Sequence, residues 1–132
     1  MNPFQFRLYI LRPDGIILPA ASVHEFAVWI EDINNRRIKH DDIDGVNVST
    51  IFLGIDHNWR GKGPPVLFET MMFTDDECIM IGRTCSKADA IDLHDGAVKQ
   101  ARELRASAAD ALSVLRAISG QAFGDATGQD DT

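Results

Sequence analysis

Along residues 6–12 the side chains alternate, with Phe6, Leu8 and Ile10 on one side against Gln5, Arg7 and Tyr9 on the other, the two-residue period of a half-buried strand. Pro13-Asp14-Gly15 predicts a turn, because proline presets one dihedral and glycine tolerates the left-handed region, and Ile16-Ile17-Leu18 predicts the returning strand of a hairpin. The period then changes. Val23, Phe26, Ala27, Ile30 and Ile33 recur at helical spacing behind a capping box of Ser22 and Glu25, which predicts a helix over 22–34. Trp29 lies beside that stripe, placed either to pack at the core or its rim or to touch a partner. Asn34-Asn35 ends the helix, and Arg36 to Lys39 reads as a brief edge strand before a polar turn, Asp41-Asp42-Ile43-Asp44-Gly45.

Val46 to Ile55 is rich in β-branched and aromatic residues, and both of its alternating sets are largely apolar. That pattern predicts a central strand covered on both sides or partly buried against a partner. Gly61-Lys62-Gly63-Pro64-Pro65 interrupts regular structure, since the prolines lack donors and the glycines favour turns. Val66 to Phe73 predicts the next strand, with Glu69 facing away from Phe68 and Thr70. A short connection through Asp75-Asp76-Glu77 leads to Cys78–Thr84, completing a three-stranded antiparallel meander.

Ser86 and Asp89 form a second capping box. The helix behind it carries Ile91, Val98, Ala101, Ala108, Leu112 and Leu115 as an apolar stripe, with Leu104 and Ala111 beside it. His94 and Asp95 interrupt the stripe near its start, and His94 reads as a boundary residue. A helix from Ser86 to about Ile118 exceeds what a small sheet needs, so it either breaks near Ser107 or packs its second half against another subunit. Residues 120–132, dominated by Gly, Gln, Asp and Thr, read as a disordered acidic tail. The expected fold is therefore α+β: an antiparallel sheet, made of the N-terminal hairpin and the meander, packed with two helices in a single domain over 1–119.

With 132 residues and 45% hydrophobic content, the chain supports one core of ordinary globular type. Its net charge of −7 disfavours nucleic-acid phosphates and anionic lipid, and it favours a protein partner with a basic surface. The best basic run, Arg36-Arg37-Ile38-Lys39-His40, is at once followed by Asp41 and Asp42. Cys78 and Cys85 stand at opposite ends of one predicted strand, roughly 20 Å apart when extended, so no direct disulfide is expected. The N-terminal residues lack the basic and apolar regions of a leader, and no apolar run is long enough to span a bilayer. The expectation is a reduced, cytoplasmic protein.

No dinucleotide fingerprint, Walker loop, paired-cysteine zinc pattern, His-Glu-x-x-His or Gly-x-Ser-x-Gly elbow occurs. Gly61-Lys62-Gly63 lacks the upstream glycines, the hydroxyl residue and the helix that a phosphate loop requires, and reads as a connection between strands. Asp56-His57-Asn58 is the main polar cluster. Its residues fit a turn in which they bond loop amides, a contact with a protein, or, with Glu69 brought near from the next strand, a metal or acid–base site. Glu69 also fits solvent exposure or a cross-strand pair with Arg83. The candidate protein-binding set is Trp29, Asp56, His57, Asn58, Arg60, Lys62 and Glu69; no catalytic, metal-binding or cofactor-binding residue is assigned.

Ser49-Thr50-Ile51-Phe52-Leu53-Gly54-Ile55-Asp56-His57-Asn58, followed by Gly63-Pro64-Pro65-Val66-Leu67-Phe68-Glu69-Thr70-Met71-Met72-Phe73, resembles the signature of a family of small bacteriophage and prophage proteins. Arg83-Thr84-Cys85-Ser86 before the last helix and Glu25-Phe26-Ala27-Val28-Trp29 upstream are similar to further parts of that pattern, and the resemblance covers about 24–100. It implies a phage setting and no particular activity. The chain departs from the pattern at Arg60-Gly61-Lys62, where a more glycine-rich or acidic connection is usual, and in its long last helix and tail. The expected function is that of a noncatalytic phage or mobile-element accessory protein that binds a host protein and inhibits a defence system, with a homodimer formed through the C-terminal helix. Two alternatives stay open: a small metal-dependent hydrolase or nuclease using Asp56, His57 and Glu69, and a phage structural protein.

Overall fold

The computed structural model describes the backbone of residues 7–130 and the side chains of residues 7–119. Among the described residues the architecture is α+β, with a two-stranded and a four-stranded antiparallel sheet and three helices. The small sheet pairs β1 (Tyr9–Leu11) with β2 (Ile17–Pro19). Their turn closes as the sequence predicts, with Gly15 at φ +90° donating its amide to Arg12 O and Asp14 Oδ1 accepting from the Ile16 amide.

The predicted helix over 22–34 is divided. Ser22 caps α1 (Val23–Glu31) by accepting from the Glu25 amide at 3.0 Å, and Glu25 Oε1 reaches back to the Ala21 amide. At Asp32 the backbone turns extended, and the Asp32 carboxylate caps a second short helix, α2 (Ile33–Arg36), by accepting from the Asn34 amide. The apolar period runs through this break, because Ile30 and Ile33 keep helical spacing while the backbone between them does not. An aspartate offering its own cap is what competes with helix continuation.

The large sheet has four strands where the sequence predicts a central meander of three. β3 (Arg37–Ile43), β4 (Val46–Phe52), β5 (Phe68–Phe73) and β6 (Cys78–Thr84) lie in that order, every neighbour antiparallel. β3 runs further than the predicted edge strand because the turn after it is only two residues long. Asp44 at φ +50° and Gly45 at φ +88° form the tight loop, and Asp42 Oδ1 accepts from the Gly45 amide. An Asp-Gly pair with both dihedrals positive matches the twist of a hairpin. The charges of β3 suit an edge, where they oppose pairing with another chain.

β4 is not covered equally on both faces. Val46, Val48, Thr50 and Phe52 are buried while Asn47, Ser49 and Ile51 are half-buried, and in β5 the same alternation separates Phe68, Thr70 and Met72 from Glu69 and Met71. Only one face therefore builds the core. Phe52 and Phe68 meet there edge to face, with Leu11, Leu67 and Ala90 around them and Trp29 packed on Phe52. A second cluster joins Leu8, Ala20 and Phe26.

α3 (Lys87–Asp130) is continuous, with no break near Ser107. Ser86 caps it by accepting from the Asp89 amide at 3.1 Å, as its capping box predicts. Ala90, His94 and Ala97, spaced four and three apart, are buried on one stripe. The chain divides within α3 into two compact units, Met1–Val98 and Lys99–Thr132. The second unit holds only the continuation of α3, on which Leu104, Leu112, Val114, Leu115 and Ile118 are exposed. The tail expected over 120–132 falls on helical backbone through Asp130, while its side chains and residues 131–132 lie outside the described residues. Among the described residues no helix is long and apolar enough to cross a membrane.

Candidate functional site: a cross-braced surface loop

Between β4 and β5 the chain leaves the sheet and returns. Leu53 and Leu67 continue the pairing, as does the bond from the His57 amide to Val66 O, so the loop between them is closed at its base. The N-terminal hairpin is fastened to the same segment: Tyr9 donates to Gly54 O at 2.7 Å, and the Asp56 amide donates to Arg7 O at 2.9 Å. Gly54 permits this crossing. A Cβ there would stand 2.7 Å from Phe26 and 2.9 Å from Ile30, and its φ of +78° strains any other residue.

Inside the loop, Asp56 and Asn58 act as internal braces. Asp56 Oδ1 accepts from the amides of Asn58 at 2.7 Å and Val66 at 2.9 Å. Asn58 spends both of its N–H donors on the carbonyls of Lys62 and Pro64, and its side-chain oxygen accepts from the Arg60 amide. Gly61 and Gly63 supply the left-handed positions, at φ +77° and +88°. His57 donates from Nδ1 to Ile55 O at 2.7 Å.

The side chains these braces do not use point elsewhere. Trp59 is 66% exposed, with the Arg7 guanidinium 5.4 Å from its ring centroid and the His57 ring 5.7 Å away. Beside it opens a cleft of about 650 Å³, lined among others by His57, Arg60, Lys62, Pro64 and Cys85. Burial first, and then the negative charges of Asp56 and Asp89, push the Cys85 thiol above its ordinary pKa. Cys85 thus stays a protonated lining residue, and Cys78 is likewise unbridged. The cleft offers cations, an aromatic face and hydrogen-bond donors, the equipment of recognition.

Of the seven residues singled out in the sequence, the structure gathers Asp56, His57, Asn58, Arg60 and Lys62 in this loop. It places the other two elsewhere. Trp29 sits edge-on against Phe52 at a centroid distance of 5.5 Å, and Glu69 pairs at 2.8 Å with Arg83, its register partner on β6. With Glu69 held there and Asp56 committed to two loop amides, Asp56, His57 and Glu69 do not converge; among the described residues no cluster of three metal-binding side chains forms. Trp59, the more exposed of the two tryptophans at 66%, is legible in the sequence only from its place between Asn58 and Arg60 in a turn-rich stretch.

One further polar assembly escaped the sequence pattern. His94, expected at a boundary, is fully buried, with Nδ1 2.8 Å from Thr50 Oγ1 and Nε2 2.7 Å from Asp41 Oδ2, and Thr50 Oγ1 lies 2.6 Å from Thr70 Oγ1. The order Asp41–His94–Thr50 has the form of an acid–base–nucleophile relay. Its hydroxyl, however, is wholly buried beneath α3, so no substrate atom reaches it and the chain of bonds serves as a clamp between helix and sheet.

In comparisons with protein-family models, curated proteins and solved structures, nothing matched the chain.

Proposed function

We propose that the protein is a noncatalytic binding protein whose docking surface is the braced loop, with Trp59 as its aromatic anchor and Arg60, Lys62 and Arg7 as its charged contacts. The observation that carries this reading is the division of roles within the loop: Asp56 and Asn58 make five bonds to backbone groups, while Trp59 stands 66% exposed beside them. A rigid aromatic in an ordered loop loses little entropy on binding, and tryptophan and arginine dominate interface energetics. The cations favour an acidic segment at the point of contact, whereas the net charge of −7 favours a partner whose surroundings are basic. The setting we assign, a phage or mobile-element accessory protein acting on a host protein to inhibit a defence system, rests on the resemblance at 49–58 and 63–73. Self-association through α3 belongs to the same reading. Leu104, Ala108, Ala111, Leu115 and Ile118 recur by alternating steps of four and three, the spacing of a coiled-coil seam, and all are exposed.

The test is site-specific photocrosslinking in host cells, with a benzophenone side chain at position 59 and, as control, at Val28, an exposed position on α1. One dominant host adduct from position 59 and none from 28, lost when Arg60 and Lys62 are both changed to Glu, supports the reading. Equal adducts from both positions, or none from either, removes it.

A further inference from the structure

The geometry points to a second, separate site: a small anion pocket, suited to a phosphate monoester, between the β1–β2 hairpin, α2 and the start of α3. The cavity holds about 250 Å³, and its lining includes three cationic residues, Arg12, Arg37 and Lys87, together with Asn34, Asn35 and Trp29. No aspartate or glutamate lines it. In a chain of net charge −7 this is a local reversal of sign, and cations sharing one cavity repel each other until an anion enters.

Only one of the three is neutralised. Arg12 pairs with Asp14 at 2.9 Å, both side chains about half exposed, while Arg37 and Lys87 have no ion pair among the described residues. Arg36, between two lining residues in the sequence, keeps a buried Nε without a hydrogen-bond partner. Asn35 and Trp29, both lining residues, are tied to each other by the bond from Asn35 Nδ2 to Trp29 O at 2.8 Å.

A tetrahedral dianion is the ligand such a set recognises. Guanidinium and ammonium groups give phosphate short charge-assisted bonds, and the two amides supply neutral donors around them. The volume lies below the roughly 300–1,000 Å³ of ordinary ligand pockets, so a dinucleotide or a polymer does not fit. Inorganic phosphate, or a small phosphate ester with a flat group set against Trp29, does. None of these residues belongs to the docking loop, so the two sites stand or fall separately.

The test is titration of the isotope-labelled full chain, at fixed ionic strength, with inorganic phosphate and with adenosine monophosphate, followed by nuclear magnetic resonance. The Trp29 indole and the Asn34 and Asn35 side-chain amide signals are expected to shift saturably. The midpoint should weaken about tenfold or more in the Arg37→Gln/Lys87→Gln variant while core signals stay in place. Tighter response to the nucleotide identifies an ester as the ligand, and equal responses identify free phosphate. A drift that never saturates and that chloride reproduces, or a titration unchanged in the double variant, overturns the site. Should the double variant lose its core signals, Lys87→Gln alone carries the same comparison.

Discussion

His94 on α3 holds Asp41 on β3 at 2.7 Å across 53 residues of sequence. The carboxylate accepts from Nε2–H, Nδ1 lies 2.8 Å from Thr50 Oγ1, and Thr50 Oγ1 lies 2.6 Å from Thr70 Oγ1. Thr50 and Thr70 are register partners, so the sheet presents this pair to the helix ready-made.

Truncating this clamp should be costly, because a buried acceptor and donor lose their partner and a cavity opens. His94→Ala is expected to lower stability by about 2–4 kcal/mol in urea denaturation, and Thr70→Val by only about 1 kcal/mol. Equal, small losses for both would show that the chain of bonds contributes nothing cooperative.

Gly54→Ala meets Phe26 and Ile30 at a positive φ, whereas Gly61→Ala meets nothing within 4 Å at a similar φ. The first should cost about 2 kcal/mol or more and the second about 1 kcal/mol, measured as a pair of denaturation midpoints. The difference between them isolates the overlap from the backbone strain.

Asp56→Ala removes the acceptor for two loop amides. At about 1 kcal/mol per bond, the opened loop should become at least about tenfold more populated. Limited trypsin digestion, which cuts after Arg60 and Lys62, should accelerate accordingly without a comparable gain at Arg37 or Lys39.

Tyr9 is the chain's single tyrosine, so its ionisation can be followed without ambiguity. Burial, assisted by the Asp56 charge, raises its pKa above the ordinary 10.0. The phenol therefore stays protonated longer in the folded chain than in the unfolded one. Its contribution to stability is complete below pH 10.0 and falls as pH rises through the folded-state value. Tyrosinate absorbance should accordingly appear at higher pH in the native protein than in urea.

Leu115→Glu with Ile118→Glu places charge on the exposed seam of α3. If a second copy covers that seam, sedimentation should show a dimer for the parent chain and a monomer for the variant at the same concentration. A parent chain that sediments as a monomer at every concentration removes the coiled-coil reading.

Local chemistry made much of the architecture legible in advance. Ser22 and Ser86 mark their helix starts, Pro13-Asp14-Gly15 marks the first turn, and β6 lies where its pattern places it. β3 was underestimated because only Ile38 and Ile43 are apolar in it, and an edge strand needs no more. The break at Asp32 was hidden because periodicity records spacing and not the competition between a cap and a helix. In the site, Asp56 and Asn58 were recognisable as turn formers. His94 was harder, since its partners come from strands 44 and 53 residues away. The predicted stripe runs through Ile91 and Val98, whereas the structure buries Ala90, His94 and Ala97, one position away, where an imidazole must find partners.

The loop between β4 and β5 assigns its shape to one group of residues and its chemical face to another. Asp56, Asn58, Gly61 and Gly63 fix the backbone, and Trp59, Arg60 and Lys62 contribute no side-chain hydrogen bond to it. Mutations at Arg60 and Lys62 therefore leave those bonds in place, and a change at Trp59 removes only its contacts with Arg7 and His57. If the loop is the docking surface proposed above, its specificity can change one residue at a time while the bonds that shape it persist.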